Sequence, residues 1–235
     1  MHKSLNLLCQ NFNILGIKCE TEAEGSSFED IWKLRVITAQ NNLPLNLKIG
    51  GCEALNDIMK AYEIGVDAII APMIETNFSC FKFLESIDKI YKNEHIKLVI
   101  NIETQTAVAN LRSILEVANG RLDGLTVGRS DLSASYFDKN ITQNSAFIFN
   151  LIKDIIEIAG RFNIKVSVGG GVDKTTLEYI KQDSFLFKNL EKIESRKVMF
   201  RTDVETKIFD YIMDFEKSCL SWKRQINDLK SADSI

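Results

Sequence analysis

The stretch KLVINIETQTAVANLRSILEVANGRLDGLTVGRSD, residues 97–131, contains two apolar runs separated by one amphipathic segment. Residues 97–103 and 122–128 are rich in Leu, Val and Ile and have the length of strands. Between them, apolar residues recur at helical spacing: Val108, Leu111, Leu115 and Ala118. A strand, a helix and a second strand in this order predict a parallel β–α–β unit.

The same alternation continues along the chain. Further apolar runs lie at 13–20, 45–49, 67–73, 164–170 and 196–200, which brings the predicted strands to seven. An eighth strand is expected either in LNLLC (5–9) or in SFLFKNL (184–190). The pattern predicts an α/β fold of the TIM-type (β/α) barrel class, with one irregular or missing strand. An open doubly wound sheet is the alternative, but no G-x-G-x-x-G follows the first strand.

Composition limits the classes of function. No linker divides the chain, so we expect one barrel domain over residues 1–235 with a C-terminal helix at 204–226. The net charge of −3 and the lack of long basic runs argue against nucleic-acid and membrane-surface partners. No apolar stretch approaches the roughly 20 residues of a membrane span. Five scattered cysteines without a C-x-x-C pair predict reduced thiols and a cytoplasmic location.

Two carboxylates end consecutive predicted strands. Glu103 follows the fourth strand and Asp131 follows the fifth. Strands of a barrel all end at one mouth, where active sites of this fold lie, so the two side chains should face each other there. Oxygen ligands without His or Cys favour Mg²⁺ or Mn²⁺. The alternatives are that Asp131 caps the helix after it and that Glu103 is solvated.

A glycine turn follows the second strand. Lys48 precedes Gly50 and Gly51, and a helix is predicted to begin at Cys52. Glycines let the backbone approach a ligand, and a helix start offers free N–H groups to an anion, so we expect a bound carboxylate here. A tight turn with a solvated lysine is the alternative.

Three further features complete the predicted site. Glu22 lies in an alternating Glu series and could act as a general acid or base if the first strand continues that far; otherwise it belongs to a solvated loop. Arg129 precedes Asp131 and could reach a substrate oxygen. Gly169 and Gly170 end the sixth strand and could leave room for substrate, with a tight turn as the alternative.

Residues 97–135 resemble the signature of the HpcH/HpaI aldolase and citrate lyase β family. The shared pattern is an apolar strand ending in Glu-Thr, a helix, and a strand ending in Gly-x-x-Asp-Leu-Ser-x-Ser. The stretch IMKAYEIGVDAIIAPMIET (58–76) is similar to the preceding strand of that family, and the likeness extends over about residues 45–135.

The resemblance implies a barrel of the phosphoenolpyruvate/pyruvate type. It implies that Glu103 and Asp131 hold a divalent cation and that a 2-oxo acid chelates the ion. The activity would be aldol cleavage through a metal-bound enolate. The family normally has an arginine where this chain has Lys48. Its histidine base has no counterpart in CETEAEG (19–25), where Glu22 is the stand-in. A non-catalytic barrel that binds a small carboxylate, for regulation or assembly, is the alternative function.

The C-terminal helix carries an apolar stripe, and this stripe predicts assembly. Its members are Val204, Ile208, Tyr211, Phe215 and Trp222. With seven strands read from the sequence, the stripe is expected to be buried against a neighbouring subunit, and the resembling family commonly forms oligomers. We therefore expect a homo-oligomer. The alternative is a final helix buried within its own subunit.

Overall fold

A computed structural model describes residues 1–92 and 94–232, with side chains described as far as Leu220. The strands are β1 Gly16–Glu20, β2 Leu45–Lys48, β3 Ala68–Ala71, β4 Lys97–Ile102, β5 Gly124–Gly128, β6 Lys165–Gly169, β7 Leu190–Glu194 and β8 Val198–Phe200. The helices are α1 His2–Phe12, α2 Phe28–Gln40, α3 Leu55–Ile64, α4 Asn77–Tyr91, α5 Gln105–Ala109, α6 Leu111–Ala118, α7 Arg129–Ala134, α8 Ala146–Gly160, α9 Lys174–Gln182, α10 Ser184–Asn189 and α11 Ile208–Ala232.

Within the described residues, the eight strands close a barrel in sequence order. Strands β1 to β7 pair in parallel, whereas β8 is antiparallel to both β7 and β1. The predicted TIM-type barrel is therefore confirmed, and its irregular strand is the short β8, which returns from the mouth through a hairpin at residues 195–197. The alternative of an open doubly wound sheet is wrong because β8 joins the two edges.

The missing strand lies beside one of its two expected positions. LNLLC lies in α1, and all of SFLFKNL except Leu190 forms α10. Strand β7 begins at Leu190 and reads LEKIE. The charged residues Lys192 and Glu194 point into the barrel on either side of the outward-facing Ile193. The segment therefore has no apolar run by which a strand could be predicted from the sequence.

Each strand has two different faces. Outward residues such as Ile17, Leu47 and Ile100 are fully buried against the surrounding helices. Inward residues are largely polar, and their contacts cross the barrel between strands that are not neighbours: Lys18 of β1 with Glu194 of β7, and Thr126 of β5 with the same carboxylate. The barrel interior therefore holds a network of charges where many barrels of this type hold branched aliphatic side chains.

The C-terminal helix is buried within its own chain. It begins at Ile208, four residues after the predicted start, and Ile208, Ile212 and Phe215 are at most 4% exposed. Tyr211 packs edge-on against Phe12 of α1, with ring centroids 5.1 Å apart. The expectation that this stripe needs a neighbouring subunit is thus wrong for the residues described, and Trp222 lies outside the described side chains.

The described helices include none that is long and apolar enough to cross a membrane. All five cysteines are free thiols.

Candidate functional site

Glu103 lies at the carboxyl end of β4 and points into the mouth of the barrel. The residue is only 3% exposed. Its Oε2 accepts a hydrogen bond from the Met73 amide at 3.2 Å, and its Oε1 accepts one from Asn101 Nδ2 at 3.0 Å. Thr104 ends the motif by capping α5, since its hydroxyl accepts from the Ala107 amide. The Glu-Thr pair therefore sets both the carboxylate and the start of the next helix.

Gly128 makes room for this carboxylate. A Cβ atom at position 128 would lie 2.5 Å from Glu103 Oε1, a distance that real Cβ atoms essentially never show. Because Gly128 ends β5 and precedes Asp131 by three residues, the glycine allows the two predicted ligands to approach from adjacent strands. This explains the glycine of the Gly-x-x-Asp motif in physical terms.

Asp131 is exposed at the third position of α7. The residue before α7 is Gly128 and no side chain caps the helix, so the proposed capping role of Asp131 is not observed. Among the described residues its carboxylate has no hydrogen-bond or ion-pair partner. Burial raises the pKa of Glu103; the negative charge of Asp131 adds to the rise, whereas Lys48, Met73 and Asn101 oppose it.

Lys48 lies at the centre of three carboxylates. Its Nζ is 2.8 Å from Glu22 Oε2, 3.6 Å from Glu103 Oε1 and 3.9 Å from Glu20 Oε2. Burial alone would lower the pKa of Lys48, but Glu103, Glu22 and Glu20 together raise it above 10.5. Lys48 is therefore a fixed positive charge at the mouth.

Strand β1 ends at Glu20, so the alternating Glu series is not one strand face. Glu22 lies in the turn after β1 and still reaches Lys48, whereas Glu24 turns away to pair with Lys197. Glu22 remains about one-third exposed. The structure thus brings Glu22, Lys48 and Glu103 together through tertiary contacts rather than through strand alternation.

The turn at Gly50 and Gly51 differs from its expected form. Helix α3 begins at Leu55 and not at Cys52, so the helix start is displaced from the glycines. The Gly50 amide already donates to Asp57 Oδ2 at 2.8 Å, and Thr21 donates to the same oxygen at 2.6 Å. The space beside Gly51 is open.

Arg129 is fully buried beneath the mouth. Its five N–H donors are matched by five acceptors: the carbonyls of Gly169, Gly170 and Gln143, Asn144 Oδ1 and Thr176 Oγ1. Burial lowers its pKa to about 10. The predicted contact of Arg129 with a substrate oxygen would require one of these bonds to break.

Gly169 and Gly170 lie where Arg129 ties β6 to α7. Gly170 has a φ of +74°, and a Cβ there would lie 2.6 Å from the Ser130 amide nitrogen and 2.7 Å from that of Arg129. The backbone of the two glycines is thereby held close to the start of α7, beside Asp131. Gly169 and Gly170 therefore form a tight turn, and this turn lies at the rim of the mouth.

Sequence reasoning missed two contributors to the site, Asn101 and the Met73 amide, which orient Glu103. Glu20, a member of the predicted Glu series, adds a third carboxylate near Lys48. Asn101 was detectable because a residue two positions before Glu103 in a strand shares its face. The Met73 amide was not, since it depends on a backbone with φ +50°. In the described part of the chain, no group of three or more His, Cys, Asp or Glu residues is placed to hold a metal ion.

Comparison with known proteins agrees with the fold and the motif. The sequence model of the HpcH/HpaI aldolase/citrate lyase family matches residues 51–188, more than half of the chain. No curated protein sequence matches this chain significantly. The chain belongs to the HpcH/HpaI aldolase/citrate lyase family.

Solved structures show the same barrel at low sequence identity. A family protein from Burkholderia cenocepacia J2315 has a TM-score of 0.66 and 13% identity, with 94% of this chain and 90% of that chain covered. The citrate synthase SbnG has a TM-score of 0.62 and 16% identity, covering 96% and 89%. An HpcH/HpaI aldolase from Desulfitobacterium hafniense DCB-2 has a TM-score of 0.61 and 12% identity, covering 93% and 83%. At these identities the likeness establishes the fold.

Proposed function

We propose that this protein is a metal-dependent carbon–carbon lyase, aldolase-like, that acts on a 2-oxo acid. The observation that carries the proposal is the arrangement at the mouth, where barrel enzymes have their active sites. A buried Glu103, the Lys48 cation and an Asp131 that has no hydrogen-bond or ion-pair partner among the described residues are gathered there. Family membership supports the reaction class, because the relatives include aldolases and a citrate synthase.

The residues at the mouth fit a divalent metal ion. Glu103 and Asp131 offer carboxylate oxygens, and Mg²⁺ is usually held by one or two carboxylates with water and substrate oxygens as the other ligands. The Asp131 carboxylate has no competing partner among the described residues, and each Glu103 oxygen accepts only one hydrogen bond. When bound, Mg²⁺ or Mn²⁺ would supply positive charge to stabilise the oxygen that becomes negative as the carbon–carbon bond breaks.

Lys48 and Glu22 supply the remaining chemistry. The Lys48 ammonium would bind the carboxylate of the 2-oxo acid, and the open space beside Gly51 leaves room for it. Glu22 would accept the proton of the substrate hydroxyl next to the bond that breaks, since no histidine lies in this segment. Lys48 would leave its ion pair with Glu22 when it binds the substrate carboxylate, because the two groups share this one cation.

Arg129 acts in this proposal by positioning. Its bonds to the carbonyls of Gly169 and Gly170 hold the rim of the mouth beside α7, which carries Asp131. The two glycines would then bound the substrate on that side. A direct catalytic contact of Arg129 stays a prediction.

The second candidate is a non-catalytic barrel that binds a small carboxylate. Two observations favour it: the turn after β1 contains no histidine, and Lys48 is already paired with Glu22. In this case the metal and the carboxylate would bind, but no aldehyde would be released.

Calorimetric titration with Mg²⁺ or Mn²⁺ tests the metal centre. Glu103→Gln and Asp131→Asn keep shape but remove charge, so each should weaken metal affinity by more than the about 10–100-fold typical of residues that only support a ligand. Asp203→Asn, an exposed carboxylate beyond the other end of the barrel, is the matched control and should bind metal normally. Unchanged affinity in both mouth variants would contradict the metal centre.

Turnover separates the two candidates. The metal-loaded protein should release pyruvate from 4-hydroxy-2-oxo acids. Glu22→Gln should lower kcat without weakening oxalate binding, because the substitution frees Lys48 from its ion pair. Tight binding of metal and oxalate without pyruvate release from any such acid would establish the carboxylate-binding alternative.

A further inference from the structure

The end of the barrel opposite the mouth contains an open cavity of about 690 Å³. We call it the base cavity; Asn46, Ser167, Lys192, Val99 and Met199 line it from inside the barrel. A volume of this size is typical of small-molecule sites. Several of the residues that line it, such as Ser167 and Gly124, are smaller than the bulky branched residues that fill most such barrels.

The charge at the inner end of the base cavity is unbalanced. Two lysines approach one buried carboxylate: Lys18 Nζ lies 3.2 Å from Glu194 Oε2, and Lys192 Nζ lies 3.3 Å from Glu194 Oε1. Burial alone would raise the pKa of Glu194, but the charges of Lys18 and Lys192 lower it, so the carboxylate is ionised. One negative charge thus faces two positive charges.

Lys192 is the lysine with capacity left for a ligand. Glu194 already accepts hydrogen bonds from Lys18 and from Thr126, whereas Lys192 meets it only at ion-pair distance. Lys192 lines the base cavity and Lys18 does not. Its ammonium group can therefore donate into the cavity.

Ser167 provides a second, independent indication of a ligand. The residue is 2% exposed, lines the base cavity, and its hydroxyl has no side-chain hydrogen bond within the described residues. Its hydroxyl is open to the base cavity rather than sealed in the core, so a molecule in the cavity can form a hydrogen bond with it. Across the cavity, the Asn46 amide donates to Met199 Sδ at 3.2 Å, and the Asn46 side-chain oxygen accepts no hydrogen bond from the part of the chain that the structure describes.

The remaining wall and the rim define the class of ligand. Val99 and Met199 give the cavity an apolar side. At the rim, Asp67 and Glu191 are paired with Arg35 and Lys165, and Asp123 accepts a hydrogen bond from the Leu98 amide. Among the described residues none of these three carboxylates forms an ion pair with Lys192. A cation and a hydroxyl at the inner end of an apolar-sided cavity suit a carboxylate that bears a short apolar chain.

We propose that the base cavity is a second binding site, separate from the mouth, for a small aliphatic monocarboxylate whose carboxylate is held by Lys192 and Ser167. The interior layer of Asn101 and Thr126 lies between this site and Glu103, and neither residue lines the base cavity. The site does not depend on the metal or on the proposed reaction.

Calorimetric titration of the metal-free protein with butyrate, in the presence of a chelator, tests this site. Butyrate should bind with one site per chain, and butyramide, which has the same shape without the charge, should bind about ten- to a hundredfold more weakly. Lys192→Met should cause a loss of the same size while leaving Lys18 to pair with Glu194. Ser167→Ala, which removes a group without a partner and should fold normally, should weaken butyrate by about fivefold.

Matched controls separate this site from the mouth. Lys181→Met removes an exposed lysine on α9 that does not line the base cavity, so it should bind butyrate as the natural chain does. Glu103→Gln should also leave butyrate binding unchanged, whatever it does to metal binding. Equal binding of butyrate and butyramide, full affinity in both Lys192→Met and Ser167→Ala, or no butyrate binding at about 10 mM would each overturn the proposal.

Discussion

Lys48 is the cation around which three carboxylates gather at the mouth of the barrel. Its charge balances those of Glu22, Glu20 and Glu103, which would otherwise repel one another there. A lysine supplies this charge as a point, without the planar fork by which an arginine binds a carboxylate in a bidentate manner. We therefore expect Lys48 to orient the carboxylate of a bound 2-oxo acid less rigidly than an arginine at the same position would.

Lys48→Met tests the substrate-binding role. Loss of a charged hydrogen bond to a carboxylate costs about 1.5–3 kcal/mol, or about one to two decades in affinity for oxalate. The variant should still bind Mg²⁺ or Mn²⁺, and Lys60→Met, on the exposed face of α3, should behave as the natural chain. An unchanged oxalate titration would instead return Lys48 to a purely structural role.

At the scale of elements, β7 carries the charge that organises the barrel interior. Glu194 is buried and contacts Lys18, Lys192 and Thr126 from three different strands. Removing one partner leaves the other charges buried and unpaired. The loss of folding stability is therefore larger than for removing one partner of a surface ion pair. Strand β7 is therefore held in place by charge as well as by Ile193.

Glu194→Gln should lower the free energy of unfolding by about 3–5 kcal/mol at pH 7. The pKa of Glu194 is lowered in the folded chain, so its contribution is present above the ordinary value of 4.5 and is lost as the pH falls through the lower folded value. Urea unfolding should thus show the difference between variant and natural chain narrowing below about pH 4.5.

Glu191→Gln, on the same strand, is the control for this effect. Glu191 is exposed and paired with Lys165, so its replacement should change stability by at most about 1 kcal/mol. A Glu194→Gln difference as small as this, or one that stays constant down to pH 3, would count against the charged interior.

At the scale of the whole molecule, the predicted homo-oligomer remains open to test. The apolar stripe on α11 does not support it, because the described part of that stripe is buried within the chain. The eighth strand, whose absence was the other reason to expect an oligomer, is present. The structure leaves a different apolar surface on α4, where Phe78 and Phe81 stack with centroids 6.3 Å apart and are 67% and 50% exposed. Such a surface is typical of one covered by another subunit.

Light scattering at micromolar concentration should give a mass that is a multiple of the 26.7 kDa chain. Replacing both Phe78 and Phe81 with Ser should reduce that mass without unfolding the barrel, because neither ring belongs to the buried core. Phe187→Ser, an exposed phenylalanine on α10, is the matched control. A natural chain that scatters as a monomer would rule out the oligomer.

The amino-acid sequence alone determined the barrel, the family motif and the order in which Glu103 and Asp131 follow two consecutive strands. These follow from local periodicity and from the rule that parallel strands end on one side. The sequence misplaced β7 because its inward side chains are charged, and it placed the start of α3 too early.

Tertiary structure alone decided which groups meet. Three sets of contacts join residues that are far apart in the chain. Lys48 meets Glu22, Glu20 and Glu103 at the mouth. Arg129 is enclosed by five acceptors, and Lys18 meets Lys192 through Glu194. The physical reason is that closure of the barrel brings strand faces together across its axis. Local sequence patterns give the direction of a side chain along its own strand, but not its partner on the opposite wall.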